Sequence, residues 1–160
     1  CTRPGQVTNL PAGRVFVMPK EGTAQGKIVL DGSWEGHTLG DPVQLTIRDG
    51  LLSSASGDKM SADIESFFEQ SAEAMRSGKG HLVRTFSEFS FGMNPRAKKG
   101  LGLLEDQCWR GGAMFAFGNN TVLGGTASVH TNVRGLMTKP TVEIDGKPLM
   151  IEGKYTPRSI

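Results

Sequence analysis

Short apolar segments that end at Asp-Gly pairs constrain the fold of this chain more than any other feature of its sequence. Residues 43–48 alternate strictly between apolar and polar side chains, the period of a strand with one buried face, and end at Asp49-Gly50. Residues 141–144 and 147–150 flank Asp145-Gly146, and an Asp-Gly pair between two such runs indicates a β-hairpin. Because the chain also contains 22 glycines, short strands joined by tight turns are favoured over long helices.

One segment has helical rather than strand periodicity. Ser61 suits an N-terminal cap and Gly78 a C-terminal stop, and apolar side chains between them recur at the spacing of one helix face. The predicted core-facing stripe is Ile64, Phe67, Phe68, Ser71, Ala72 and Met75. Further buried strands are predicted at residues 82–91, 111–117 and 126–133. The sequence therefore predicts an α+β fold, mostly antiparallel sheet with one main amphipathic helix, in a single domain over residues 1–160.

Composition excludes several classes of function. The formal net charge is only +2, and the one basic cluster, residues 96–99, is typical of a solvated loop, so no nucleic-acid partner is predicted. No apolar run approaches the length of a membrane span. Two cysteines, Cys1 and Cys108, do not make a disulfide framework, and Cys108 is interpreted as a buried thiol. With no secretory segment, we predict a cytoplasmic location.

The residue at position 1 suggests a nucleophile. The chain begins with Cys1 rather than Met, which is consistent with self-cleavage of a longer precursor by attack of the Cys1 thiol on the preceding carbonyl. The new α-amine would titrate near 7.7–8.0, about the range needed for a local general base. A processing scar or an arbitrary chain boundary is the alternative interpretation.

A set of short motifs runs in order along nearly the whole chain, at residues 9–16, 21–26, 31–33, 91–95, 104–106, 117–120, 124–125, 130–132, 139–141 and 145–147. Together they resemble the C-terminal region of the M29 family of thermophilic metallo-aminopeptidases. A ring-opening dioxygenase of hydroxypyridines is similar to the same family and uses the same region to hold iron. The resemblance implies the C-terminal half of an M29 aminopeptidase-like fold, and it specifies the fold better than the reaction.

The resemblance also implies where a metal site would lie, and this chain departs from it. Glu88 and His130 occupy positions of family ligands. Arg14, Phe115 and Asn132 stand where the family places Glu, His and Asp. Arginine cannot ligate a divalent cation, and phenylalanine has no lone pair to offer. The resemblance therefore implies a degraded metal site, and no cofactor is predicted.

These observations lead to a principal hypothesis, a metal-independent hydrolase or acyl-transfer enzyme for amide bonds. In it the Cys1 nucleophile is assisted by His130, Glu88 and Asn132 as catalytic residues. Arg14 and Asn119 bind a small peptide or amide substrate. The predicted partner is the N-terminal chain of the same self-cleaved precursor, and the processed pair is predicted to form a homo-oligomer.

Two other classes of function stay open. One is a metal-dependent aminopeptidase or the related non-haem iron ring-opening dioxygenase, with zinc, cobalt or iron as the cofactor. The other is a non-catalytic binding subunit. The candidate residues also have plain structural interpretations. Glu88 would form a salt bridge with Arg14, His130 would be a hydrogen-bonded core histidine, and Asn119 would belong to a turn.

Overall fold

The structure, a computed structural model, describes residues 3–6, 10–57, 59–75, 78–100 and 103–157. These residues form strands, two α-helices, and short 3₁₀ turns at Gly80–Arg84 and Thr121–Leu123. In chain order the elements are β1 (Arg14–Val17), β2 (Gly26–Leu30), β3 (Ser33–Trp34), β4 (His37–Thr38), β5 (Val43–Arg48), β6 (Leu51–Gly57), α1 (Lys59–Glu73), β7 (Phe86–Gly92), α2 (Leu103–Asp106), β8 (Ala113–Gly118), β9 (Asn132–Met137), β10 (Val142–Ile144), β11 (Lys147–Ile151) and β12 (Lys154–Tyr155).

The described strands form three sheets, and neighbouring strands pair in the antiparallel sense. The largest sheet has the order β1-β7-β8-β9-β3-β4, and the two smaller sheets have the orders β2-β5-β6 and β10-β11-β12. The predicted α+β class with mostly antiparallel sheet is therefore confirmed. Within the described part of the chain, no helix is long and apolar enough to cross a membrane.

The main core lies between the six-stranded sheet, the β2-β5-β6 sheet and α1. Its centre is a cluster of aromatic rings in which Phe68 of α1 meets Trp34 and Phe117 edge to face, at centroid distances of 6.2 and 6.1 Å. The helical stripe is narrower than predicted, because Phe67 is 37% exposed whereas Phe68 is fully buried. The helix also begins at Lys59 rather than after Ser61.

Strand predictions agree with the structure where the sequence alternates and ends at an Asp-Gly pair. The hairpins β5–β6 and β10–β11 form at the predicted places. The strand predicted at 82–91 is wrong over its first part, since Gly80–Arg84 is a 3₁₀ turn and β7 begins at Phe86. The strand predicted at 126–133 is also displaced, because β9 begins only at Asn132.

Side-chain oxygens explain why residues 126–131 do not form a strand. The backbone N–H of Thr126 donates to Glu21 Oε1 at 2.8 Å, and that of Ala127 donates to Asn120 Oδ1 at 2.9 Å. Asn120 Nδ2 also donates to Glu21 Oε1 at 2.7 Å, and the Thr126 hydroxyl donates to Glu21 Oε2 at 2.8 Å. Side-chain acceptors thus take the N–H groups of Thr126 and Ala127, which a sheet ladder would need.

We expect the carboxylate of Glu21 to contribute to the free energy of unfolding at neutral pH but not in acid. The backbone N–H of Thr126, then the side chains of Asn120 and Thr126, stabilise its carboxylate and hold the pKa of Glu21 below its ordinary value. A lowered folded-state pKa means that the contribution is present at neutral pH and is lost as the pH falls below about 4. We expect Glu21→Gln to lower the free energy of unfolding at pH 7 by about 0.5–1 kcal/mol, allowing for solvent screening.

Urea unfolding at pH 7 and at pH 3 measures this effect. The difference between the wild type and Glu21→Gln should shrink at the lower pH. Glu143→Gln is a suitable control because Glu143 is exposed on β10 and its side chain makes no hydrogen bond in the described region. An equal loss for Glu21→Gln at both pH values would contradict the prediction.

Candidate functional site

The face of the six-stranded sheet opposite the core carries three of the predicted site residues, Arg14, Glu88 and Asn132. Glu88 of β7 pairs with Ala116 of β8, and Ala116 pairs with Arg134 of β9, so these three side chains project from the same face. We call it the outer face. The other side chains of β1, β7, β8 and β9 on this face are Arg14, Phe16, Ser90, Met114, Asn132 and Leu136.

Arg14 and Glu88 form an ion pair on this face, as predicted from the family positions. Arg14 Nη1 donates to Glu88 Oε1, and the side chains are 21% and 7% exposed. The guanidinium carbon of Arg14 also lies 4.9 Å from the centre of the Phe16 ring. Glu88 therefore has a bound cationic partner within its own sheet, which is the structural interpretation that the sequence left open.

Phe115 does not belong to the outer face. It pairs with Phe89, its ring stacks on that of Phe89 at 4.9 Å, and both rings lie on the core side of the sheet. The prediction that position 115 replaces a ligand beside Glu88 is therefore wrong in its geometry. The β8 side chains that accompany Glu88 are Met114 and Ala116, one residue to either side. A one-residue difference in register changes the face of every side chain.

The remaining candidate residues lie apart from the ion pair or outside the described residues. Cys1 is outside them. His130 is exposed just before β9, and no contact in the described region joins it to Arg14 or Glu88. Asn132 is exposed at the start of β9, where its side-chain N–H donates to the carbonyl of Asn119 at 3.5 Å.

Asn119 holds a turn together. Its Nδ2 donates to the Val129 carbonyl at 2.8 Å, and its Oδ1 accepts from the N–H and the hydroxyl of Thr121 at 3.0 and 2.8 Å. Its Oδ1 and one of its two Nδ2 hydrogens are therefore used within the turn, which leaves one N–H for another acceptor. The geometry therefore favours the turn interpretation of this residue, and its predicted role in substrate binding remains untested.

Cys108 lies close to the ion pair but is held as an unreactive thiol. Burial raises the pKa of Cys108, the charge of Arg14 opposes that effect, and Glu105 adds to it. Its Sγ lies 3.2 Å from the Pro11 carbonyl oxygen, to which the thiol donates. Because the thiolate is the nucleophilic form, a raised pKa disfavours reaction at neutral pH, as the sequence interpretation of a buried thiol implied.

Sequence reasoning missed Arg134, the second guanidinium on the outer face. Its Nε is buried and has no hydrogen-bond partner among the described residues. Its backbone is fixed at the β3–β4 turn, where the Arg134 N–H donates to Glu35 Oε1 and the Glu35 N–H donates to the Arg134 carbonyl at 2.8 Å. The alternation of polar and apolar residues along β9 was the only indication in the sequence that Arg134 shares a face with Asn132.

The outer face does not present a ready metal centre. Within residues 3–6, 10–57, 59–75, 78–100 and 103–157, no group of three or more His, Cys, Asp or Glu side chains is placed to hold a metal ion. Glu88 contributes one carboxylate, and Arg14 already contacts it. The described arrangement can instead bind a polar ligand through its guanidinium groups.

Comparisons with known proteins agree with this fold. Residues 1–157 match the family model NicX, described as 2,5-dihydroxypyridine 5,6-dioxygenase. The fold is similar to that of the 2,5-dihydroxypyridine dioxygenase from Pseudomonas putida KT2440, with a TM-score of 0.80 and 17% sequence identity over 91% of this chain and 44% of that one. The chain thus spans less than half the length of that protein. No curated protein sequence matches it significantly.

Proposed function

Because the chain belongs to the NicX family of 2,5-dihydroxypyridine 5,6-dioxygenases, we propose that it forms part of an oxygenase that opens a hydroxylated pyridine ring. The match of residues 1–157 to that family carries the proposal. The outer face supports it, since guanidinium groups and the half-exposed ring of Phe16 suit a planar ligand with oxygen substituents.

The family assignment corrects the principal hypothesis from the sequence. It contradicts an amide or peptide hydrolase with Cys1 as nucleophile and autocatalytic cleavage, and it favours the ring-opening dioxygenase that was one of the alternatives. The relation to the M29 aminopeptidases is not supported beyond the related dioxygenases. Association with the N-terminal chain of a precursor and homo-oligomerisation remain predictions.

The absence of a cofactor is a second prediction that the family overturns, because the NicX dioxygenase is a non-haem iron enzyme. Among the described residues, Glu88, His130 and the amide of Asn132 are the nearest equivalents of a ligand set, and they are not gathered into one. The described part of the chain therefore does not fit an iron site by itself. The roles left to its residues are binding and orienting the ring.

The test uses the full-length protein that contains this chain, with ferrous iron and 2,5-dihydroxypyridine. We expect the ring absorbance to fall, with about one O₂ consumed per ring lost, as a dioxygenase requires. Calorimetry with the same compound under anaerobic conditions measures binding without turnover. Failure to bind and failure to consume the ring would together overturn the proposal.

A second candidate function, binding of such a ring without opening it, is favoured by one observation. Arg14 occupies the carboxylate of Glu88, the one acidic side chain on the outer face of β1, β7, β8 and β9 in the described structure. Binding without oxygen uptake, in protein that contains iron by elemental analysis, would select this second function.

A further inference from the structure

We propose that Arg134 is a ligand-binding residue. It donates hydrogen bonds to an acceptor oxygen carried by the ring, an oxide, a carbonyl or a carboxylate oxygen, held between Arg134 and the Arg14–Glu88 pair. The inference rests on the proposed function for the identity of the ring. Its physical basis is the position of Arg134 on the outer face, the burial of its Nε atom and the absence of a carboxylate partner in the described region.

Position is the first step. Arg134 and Glu88 lie on β9 and β7 with Ala116 of β8 paired between them. Because adjacent strands are about 4.8 Å apart, their backbones are separated by about 10 Å, the width of one planar ring with a hydrogen bond at either side. Ala116, which lies between them in the sheet, is buried.

Charge is the second step. The guanidinium of Arg14 is matched by Glu88, and that of Arg84 is matched by Glu65 at 2.8 Å. Arg134 has no carboxylate within ion-pair distance in the described region, and Glu35 uses Oε1 on the Arg134 backbone N–H. Arg134 therefore offers an uncompensated positive charge on the outer face.

The orphaned donor is the third step. The Nε–H of Arg134 is buried without an acceptor in the described residues, and a buried donor without a partner is costly to maintain. Of the buried side-chain atoms without a partner in the described part of the chain, Arg134 Nε is the one that belongs to a charged group. The others are the hydroxyls of Thr85, Ser87 and Thr131. A ligand oxygen at Nε would satisfy the donor, and the guanidinium fork would orient a planar group.

Anaerobic calorimetry on the full-length protein tests the proposal with 2,5-dihydroxypyridine and, separately, with pyridine-2-carboxylate. We expect Arg134→Met to raise the Kd about 10- to 100-fold and Arg134→Lys, which keeps the charge but loses the fork, to raise it about tenfold. Arg48→Met is the matched control, because Arg48 is exposed at the end of β5, and its Kd should not change.

The outcomes separate this inference from the proposed function. If the wild type binds only pyridine-2-carboxylate and Arg134→Met weakens that binding, the dihydroxypyridine assignment fails and the role of Arg134 stands. The inference would be overturned if Arg134→Met bound both compounds with the Kd of the wild type. An unchanged circular dichroism spectrum would show that this variant is folded. It would also be overturned if the wild type bound neither compound.

Discussion

Phe68→Ala is expected to lower the free energy of unfolding by about 3–5 kcal/mol, the range for removing a fully buried aromatic side chain. Phe68 is fully buried, and its ring meets those of Trp34 and Phe117. The guanidinium carbon of Arg84 also lies 5.3 Å from the centre of its ring. Truncation would leave a cavity between α1 and the sheet whose other face carries the site.

Phe67→Ala is the matched control for this prediction. Phe67 is the next residue on the same helix, so the chemical change and the change in helix propensity are the same, but it is 37% exposed. We expect it to cost about 1 kcal/mol. Urea unfolding of both variants measures the difference. An equal decrease in the free energy of unfolding for Phe67→Ala and Phe68→Ala would contradict the prediction that burial makes Phe68 the more important residue.

The same pair of residues illustrates how far the sequence could predict the fold. Helical periodicity placed both Phe67 and Phe68 on the buried stripe, because spacing alone gives a face several residues wide. The sheet that packs against α1 decides which edge of this apolar stripe is buried. Tertiary packing of this kind cannot be read from helical spacing. The strands with strict alternation and Asp-Gly turns were predicted well, since local chemistry fixes both ends of a hairpin.

The limits at the site have a different physical cause. The contact between Arg14 and Glu88 was among the interpretations that the sequence left open, because the two side chains carry opposite charges. The wrong placement of Phe115 arose because the face of a side chain depends on register, and β7 pairs with β8 through an irregularity between Phe86 and Glu88 that no local sequence pattern reveals. Arg134 was missed because the feature that singles it out is a buried Nε–H without an acceptor in the described region. Only coordinates show which acceptors lie near a side chain.

The Arg14–Glu88 pair gives the second large expected effect. Arg14→Met would leave the carboxylate of Glu88, 7% exposed, without a cation, and we expect a loss of about 3 kcal/mol in the free energy of unfolding. In the double variant Arg14→Met/Glu88→Leu both charges are gone, so most of that loss should be recovered. Recovery is expected because desolvation of two charges offsets much of their attraction, and apolar side chains of similar size fill the same space.

A double-mutant cycle in urea measures this coupling, and the chain supplies its own control pair. Arg84 and Glu65 form the other described ion pair, and Glu65 is 27% exposed, so water can solvate it when its partner is removed. We therefore expect Arg84→Met to lower the free energy of unfolding by less than Arg14→Met does. Both arginines also pack on a phenylalanine ring, so that loss is common to the two variants, and Glu65 keeps the hydrogen bond from the Ala55 N–H. If the double variant at Arg14 and Glu88 is as unstable as Arg14→Met alone, the pair is not the source of the loss, and the packing of Arg14 on Phe16 becomes the explanation to test.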